Sequence, residues 1–462
     1  MREEEAEGRV VIENGGEEPR RVYLRDLHSA ERRTAAKLRR LLSVGASFRP
    51  IPPDKAIEWW EGRAGFRLAP AQLKAVRTSL ASKVSIITGG PGVGKTTIIR
   101  ALVGIYQARK LKVHLAAPTG RAAKRMTEST GAPAQTLHRL LKYNPQTNDF
   151  TYNEENPLEG DVFIFDETSM IDIRLMADLT AALPSSATLI VVGDTDQLPS
   201  VGPGSVLHDL IASEAIPATR LTEIFRQDNS GLIVRNAHRV NEGLPFDTRA
   251  GESDFYFVAK NSPEDVLALA LDFMTERIPR HFGMDPLHDV QVLTPMRKNL
   301  LGAENLNTAL QKRLNGNGPS VQRGATLFRA GDRVMQLRNN YDKDVYNGDV
   351  GFVKDVNSQE RSLVVLFDGR PVEYGSGDLD ELALAYATTI HKSQGSEYPA
   401  VIVLLHTQHY MMLQRNLLYT AITRGKKLVM VIGAPWAVTK AIETNDVRER
   451  RTTLAQRINN GE

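Results

Sequence analysis

The sequence predicts an α/β protein of two similar lobes, each a doubly wound parallel sheet, and three observations carry that expectation. Short apolar runs, Val84 to Thr88, Val162 to Phe165 and Thr188 to Val192, each end in glycine-rich or acidic residues. Strands covered by helices on both faces read this way, and open sheets of that kind carry ligands at the carboxyl ends of their strands. A second set of such runs begins at Val290 and resumes with Ala400 to His406 and Lys427 to Gly433. Finally, 462 residues at 41% apolar composition can bury several cores, which excludes one small domain.

Taken in order, residues 1–65 are charge-rich and read as an accessory region. Leu27, Ala30, Ala35, Leu38, Leu41 and Leu42 recur at helical spacing between Leu27 and Ser43. Residues 66–235 form the first lobe, interrupted at 142–160 by a polar insert. Its Asn and Pro turn residues flank Phe150-Thr151-Tyr152, which predicts a small protruding hairpin. Residues 236–440 form the second lobe. Within it, 322–378 holds short β-patterned runs punctuated by Asn-Gly and Asp-Gly turns, which predicts a small β-barrel insertion. Residues 441–462 read as a C-terminal tail.

Composition narrows the function classes. The sequence has no cysteine, so disulfides and thiolate metal sites are excluded and any metal must be oxygen-held. The sequence contains no apolar run of eighteen residues, and a start of Met-Arg-Glu-Glu-Glu is too charged for a signal peptide, so a cytoplasmic protein is expected. A net charge of +3 does not by itself choose a partner.

The phosphate chemistry is local and specific. Gly89-Gly90-Pro91-Gly92-Val93-Gly94-Lys95-Thr96-Thr97 follows a strand and precedes a helical pattern, the context a Walker A loop requires. Gly90, Gly92, Val93 and Gly94 let backbone N–H groups face phosphate oxygens, Lys95 reaches the outer phosphates, Thr96 can ligate Mg2+, and Thr97 completes the nucleotide-binding set. Nucleoside triphosphate binding follows, with ATP the expected cofactor. Asp166 and Glu167 then close a buried strand: Asp166 can hold Mg2+, and Glu167 can polarise the attacking water. A solvated acidic pair is the alternative. After the third strand, the amide of Gln197 is a candidate sensor of the terminal phosphate.

In that order, Gly-Gly-Pro-Gly-Val-Gly-Lys-Thr-Thr, Asp-Glu-Thr-Ser-Met and Gly-Asp-Thr-Asp-Gln-Leu-Pro-Ser-Val-Gly-Pro-Gly resemble motifs I, II and III of superfamily-one helicases. The segments around Leu68, Ala117, Gln135, Leu221, Val292, Ala387 and Leu417 resemble the Q motif, motif Ia, the segment after it and motifs IV to VI, so the resemblance covers 66–436. Its wording is most similar to the RecD-like branch of class B enzymes.

That resemblance implies two RecA-like P-loop lobes, a pin-like hairpin in the first and an SH3-like β-barrel in the second. It implies a monomeric motor driven by Mg2+ and ATP that moves 5′ to 3′ on single-stranded DNA, unwinds tailed duplexes and works with repair or recombination protein partners. By the same resemblance Gln72 reads the adenine edge, Glu397 meets the nucleotide sugar, and Arg226 and Arg424 meet the γ-phosphate from the second lobe. Outside a motif, each arginine would be read as an ordinary ion-pairing residue. Strand contacts are expected from Thr119, Arg121, Lys124, Thr136, His138, Thr294, Lys298, His391 and Ser393, a mixture of hydroxyls, cations and stackable rings that tracks phosphates without reading sequence. Phe150 and Tyr152 are available to meet a base pair at the pin.

Longer relatives of this type carry a larger N-terminal part, and Arg20 to Leu42 resembles its last portion, so truncation of a longer protein is expected. Two rival readings are a DNA-independent P-loop ATPase that remodels a protein partner, and a motor subunit of an exonuclease complex. Hydrolysis indifferent to DNA would favour the first; co-purifying subunits would favour the second.

Overall fold

A computed structural model describes residues 7–13, 20–222, 231–248, 251–445 and 450–460. Its first parallel sheet has the strand order Ala218–Leu221, Val84–Gly89, Thr188–Gly193, Val162–Phe165, Val113–Ala117, Ala134–Thr136. The three predicted apolar runs are its central strands, and every residue in them is buried. Helices cover both faces, so these strands need no polar side to meet water.

Local chemistry sets the helices that matter for a site. Pro70 starts Pro70–Ala81 at the position where a missing N–H costs nothing. Thr119 starts Gly120–Thr130 by accepting the Ala122 N–H, and Gly131 ends that helix in the left-handed region. Asp172 caps Ile173–Ala182 by accepting from Leu175.

Helix Arg25–Ser43 lies on Ile173–Ala182 and buries Ala30, Ala35, Leu38 and Leu41 in the core of the first lobe. Leu454 and Ile458, from the helix Leu454–Asn460, enter the same core. Arg457 pairs there with Glu13 at 2.7 Å and Glu31 at 3.5 Å. The two ends of the described chain therefore meet on the first lobe.

The second parallel sheet runs Phe255–Ala259, Gly425–Gly433, Tyr398–Leu405, Val290–Thr294, Ala387–Thr389. Between Val290–Thr294 and Ala387–Thr389 the chain leaves to build an antiparallel sheet ordered Arg370–Tyr374, Ser362–Phe367, Val350–Asn357, Arg333–Gln336, Leu382–Leu384. Leu382–Leu384 pairs with Arg333–Gln336, so this sheet draws an edge strand from beyond residue 378.

The hairpin insert is small, with Tyr143–Asn144 pairing Asp149–Phe150. The Phe150 and Tyr152 rings are half-buried. Phe150 packs against His138, Tyr143 and the first-lobe core, and Tyr152 lies under the Lys142 ammonium and also packs on that core. Both rings anchor the hairpin's base, because packing part of their surface on the core stabilises a two-rung ribbon that could not hold itself.

One buried histidine predicts an acid sensitivity. His409 is 0% exposed, its ring accepts the His406 N–H at 3.1 Å, and its Nε2 has no partner among the described residues. Burial, aided by His406, lowers its pKa from 6.5 to about 4. The unfolded chain therefore takes up this proton first. The stability from neutral His409 is whole above about 6.5 and is lost as pH falls through about 4, an expected loss of about 3 kcal/mol. Thermal melts from pH 7 to pH 4 should fall less steeply for His409→Gln than for the unsubstituted chain; parallel slopes would refute this assignment.

Candidate active site between the lobes

The loop after strand Val84–Gly89 turns through Gly92 (φ 76°) and Gly94 (φ 85°) into helix Lys95–Ala108. A β-carbon at Gly94 would collide with the Gln72 amide, so both backbone angle and space demand glycine there. The Lys95 ammonium is held by the carbonyls of Gly89 and Gly90, at 2.9 Å for Gly90. It thus stands at the start of the loop, where outer phosphates would lie. Val93 is buried beneath the loop, whereas Thr96 is exposed and Thr97 half-buried.

Asp166 and Glu167 are each 6% exposed at the carboxyl end of strand Val162–Phe165. Glu167 takes a left-handed backbone (φ 52°) and its N–H bonds the Asp166 carboxylate at 2.8 Å. Burial and then the neighbouring Glu167 charge raise the Asp166 pKa. Burial pushes Glu167 the same way, but Arg125, Arg424 and Lys95 together outweigh it and lower its pKa. The pair is thereby split into a carboxyl that needs a cation and a carboxylate that keeps its charge.

Arg125, on helix Gly120–Thr130, links that pair to the second lobe. It donates to Glu167 at 2.6 Å and lies 3.0 Å from Glu397, whose other oxygen meets Lys426 at 3.0 Å. Arg424 is 3% exposed, and its guanidinium donates to the carbonyls of Thr420 and Ser396, each at 3.1 Å, and to the Thr423 hydroxyl at 3.2 Å. It is near enough to Glu167 to help lower that carboxyl's pKa.

A polar seam joins the lobes beside the loop. Asp194 accepts from Gln197 at 3.2 Å and from the second-lobe Tyr419 hydroxyl at 2.9 Å. The Leu198 N–H donates to Thr420, and Gln394 donates to the Leu198 carbonyl, each at 2.9 Å. Gln197 is 8% exposed and its Oε1 has no partner among the described residues. Arg450 donates to the carbonyls of Ser200 at 2.6 Å, Gly202 at 2.6 Å and Gly204 at 2.7 Å, fixing the loop that carries Gln197.

The structure brings Lys95, Asp166, Glu167, Gln197, Glu397 and Arg424 to one cleft. Arg226 lies outside the described residues. Two expected nucleotide contacts have different partners. Gln72 is 5% exposed, accepting the Ala69 N–H at 3.1 Å and donating to the Val93 carbonyl at 3.4 Å, so it braces the loop from beneath. Glu397 is held between Arg125 and Lys426.

The expected strand contacts divide similarly. Thr294 and Ser393 are corrected: both are 0% exposed, and their hydroxyls donate to the carbonyls of Leu301 and Ile390. Thr119 and Thr136 serve as helix caps, accepting the N–H groups of Ala122 and Arg139. Short hydroxyl side chains beside a chain reversal satisfy backbone groups first. Arg121 donates to Ser396 at 2.9 Å and to the Tyr398 hydroxyl at 2.7 Å, while Lys124 pairs with Asp368 at 2.5 Å. His138 and His391 are half-buried, and Lys298 is exposed.

Sequence reasoning missed Arg125, Asp194, Tyr419 and Arg450. For Arg125 a signal existed: it lies four residues after Arg121 on a capped helix, so both project from one face toward the second lobe. Asp194 and Tyr419 lie inside the segments that resemble motifs III and VI, but their meeting, 225 positions apart, and the reach of Arg450 to Ser200, 250 positions apart, have no local signal.

The donor set fits Mg2+. Among the described residues no cluster of three or more His, Asp or Glu could hold a metal by itself. Mg2+ typically takes one carboxylate, here Asp166, with a hydroxyl such as Thr96 and otherwise water and phosphate oxygens.

Comparison with known proteins identifies the family. Residues 72–203 match an AAA domain model, 306–367 the ATP-dependent RecD-like DNA helicase SH3 domain, and 384–432 the UvrD-like helicase C-terminal domain. The chain is 36% identical over 440 residues to the ATP-dependent RecD2 DNA helicase of Deinococcus radiodurans, covering 95% of this chain and 58% of that protein. It is 33% identical to the RecBCD enzyme subunit RecD of Mycobacterium tuberculosis, covering 82% of this chain and 71% of that one. A crystal structure of Pif1 helicase from Bacteroides, solved with ADP-AlF3 and single-stranded DNA, shares the fold with a TM-score of 0.51 at 21% identity, over 81% of this chain and 94% of that one. The chain spans a little over half of the Deinococcus protein, and its likeness to the mycobacterial subunit extends over most of that subunit's length. It belongs to the RecD-like family of helicases.

Proposed function

We propose that this chain is an ATP-dependent DNA helicase that translocates 5′ to 3′ on single-stranded DNA, hydrolysing Mg-ATP between its two lobes. The observation that carries this reading is the cleft itself. First-lobe carboxylates Asp166 and Glu167 are buried beside Lys95, and the charge of Glu167 is held partly by the second-lobe Arg424. A site assembled from both lobes hydrolyses only when they close, which ties each turnover to relative movement.

Within that site Lys95 binds outer phosphate oxygens and Glu167 accepts a proton from the attacking water. Gln197 orients groups at the terminal phosphate, and Arg424 neutralises developing charge. Mg2+, held through Asp166 and Thr96, would supply Lewis-acid polarisation of the phosphate oxygens.

The DNA substrate is taken from the Deinococcus relative, whose name describes an ATP-dependent DNA helicase. Arg121, Lys124, His138, Lys298 and His391 are the side chains proposed to follow the strand, with Thr119 and Thr136 contributing through the helix termini they cap. Residues 66–235 and 236–440 are read as the two lobes, with 1–65 as an accessory region. A cytoplasmic site of action and a monomeric motor complete the reading.

ATP hydrolysis with Mg2+, with and without single-stranded DNA, tests it alongside strand separation on 5′-tailed and 3′-tailed duplexes. DNA should stimulate hydrolysis strongly, unwinding should require the 5′ tail, and Lys95→Ala should do neither. Hydrolysis indifferent to DNA would sink the motor, and unwinding from the 3′ tail would reverse its polarity. The mycobacterial relative is a RecBCD enzyme subunit, which favours a second reading as the motor of a larger nuclease assembly. Co-purification of nuclease activity with the tagged chain from its own cells would support that reading.

A further inference from the structure

The second lobe places one more polar side chain against the phosphate loop. His238 lies in the last turns of helix Leu232–Asn241, which packs on Arg415–Ile422, the helix that carries Tyr419. A β-carbon built at Gly90 would stand 2.7 Å from the Tyr419 hydroxyl and 3.9 Å from His238 Cε1, so both rings reach the same glycine. The Tyr419 hydroxyl is committed to Asp194. The His238 Nε2, bonded to that Cε1, is out of solvent and has no hydrogen-bond partner among the described residues.

A buried ring nitrogen without a partner is costly, and such atoms in folded proteins call for a reason. Position supplies one. The Lys95 ammonium bonds the Gly90 carbonyl at 2.9 Å, and the lysine of such a loop reaches the β- and γ-phosphates. His238 therefore stands at the outer-phosphate end of the loop, and it stands there from the opposite lobe.

We propose that His238 is a nucleotide-binding residue of the second lobe, donating its Nε2–H to an outer phosphate oxygen and so making cleft closure favour the triphosphate over the diphosphate. This rests on the reading of the cleft as an ATP site. It adds a phosphate contact that Arg424 does not make redundant, because it comes from a different helix and reaches the start of the loop.

The test is equilibrium binding of the Mg2+ complexes of ADP and of a non-hydrolysable β,γ-imido ATP analogue to the full chain. His238→Ala should weaken the analogue about tenfold and ADP less than twofold. His238→Gln, whose amide can place a donor near Nε2, should recover most of the loss, whereas the shorter His238→Asn should not. Because Gln and Asn are both polar and similar in bulk, their difference remains readable if the alanine variant fails to fold. Equal affinities in all four proteins, or parallel losses for ADP and the analogue, would overturn the proposal. Lys95→Ala is the reference: if it leaves both nucleotides bound as in the unsubstituted chain, the ATP-site reading itself fails. If Lys95→Ala abolishes binding while His238 variants bind normally, only the role of His238 falls.

Discussion

Replacing Arg424 with alanine is expected to lower the maximal rate of ATP hydrolysis by about 10³-fold, with nucleotide affinity changed only a few-fold. The guanidinium is 3% exposed and is aimed by the carbonyls of Thr420 and Ser396 and the Thr423 hydroxyl, so its position is set before any nucleotide arrives. A preset charge costs no reorganisation when charge develops on the transferred group, so its loss falls on the rate. Arg424→Lys should recover little, because an ammonium cannot reproduce the planar fork that meets these acceptors. Steady-state kinetics at saturating DNA, with melting midpoints as a fold control, decide the matter. A folded Arg424→Ala protein that hydrolyses ATP at the original rate would remove this residue from the chemistry.

Arg125→Ala should be the second-largest effect and should differ in kind. Arg125 lies 2.6 Å from Glu167 and 3.0 Å from Glu397, so its removal strands the Glu167 carboxylate, which is 6% exposed, and leaves Glu397 to Lys426 alone. Breaking a buried pair typically costs about 3–5 kcal/mol, and the lower end applies where Arg125 and Glu397 are partly reached by water. The expected outcome is a folded but less stable protein with hydrolysis reduced by about 10²-fold.

The same substitution should move the pH profile. Glu167 has its pKa lowered because Arg125, with Arg424 and Lys95, outweighs burial. A carboxyl lowered on folding contributes stability that is present above its unfolded value near 4.5 and lost as pH falls through the folded value. Without Arg125 that contribution shrinks, and the acid limb of the rate profile should shift to higher pH. Hydrolysis measured from pH 5 to pH 8 tests this, with Arg125→Lys as the variant that keeps the charge. An unmoved acid limb in Arg125→Ala would show that Glu167 is not the group titrating.

These two arginines show what could be read in advance. Arg424 sits inside a short motif, so its place in the cleft was legible from neighbours in sequence. Arg125 also sits inside a motif segment, but Glu167 and Glu397 reach it from 42 and 272 positions away. No local pattern encodes a meeting at that separation. The hydroxyls show the reverse error. Thr294 and Ser393 occupy motif positions, yet packing buries both and turns their donors toward backbone carbonyls. Phe150 and Tyr152 were legible as aromatics in a hairpin, but only their packing on the first-lobe core showed that they anchor it.

What the sequence alone determined is the chemistry that completes itself within a few residues. A phosphate loop needs only a strand, positive-φ glycines, a lysine and a helix start, and all lie between Val84 and Ile98. Alternating apolar runs likewise determined two parallel sheets, because a strand buried on both faces admits few polar residues. The tertiary structure decided everything that depends on two distant segments arriving together. It set Arg125 between two carboxylates, Tyr419 against Gly90, Arg450 on the loop of Gln197, and the last helix on the first lobe. Hydrogen bonds and ion pairs act over a few ångströms, and only the packed fold specifies which remote residues come within that range.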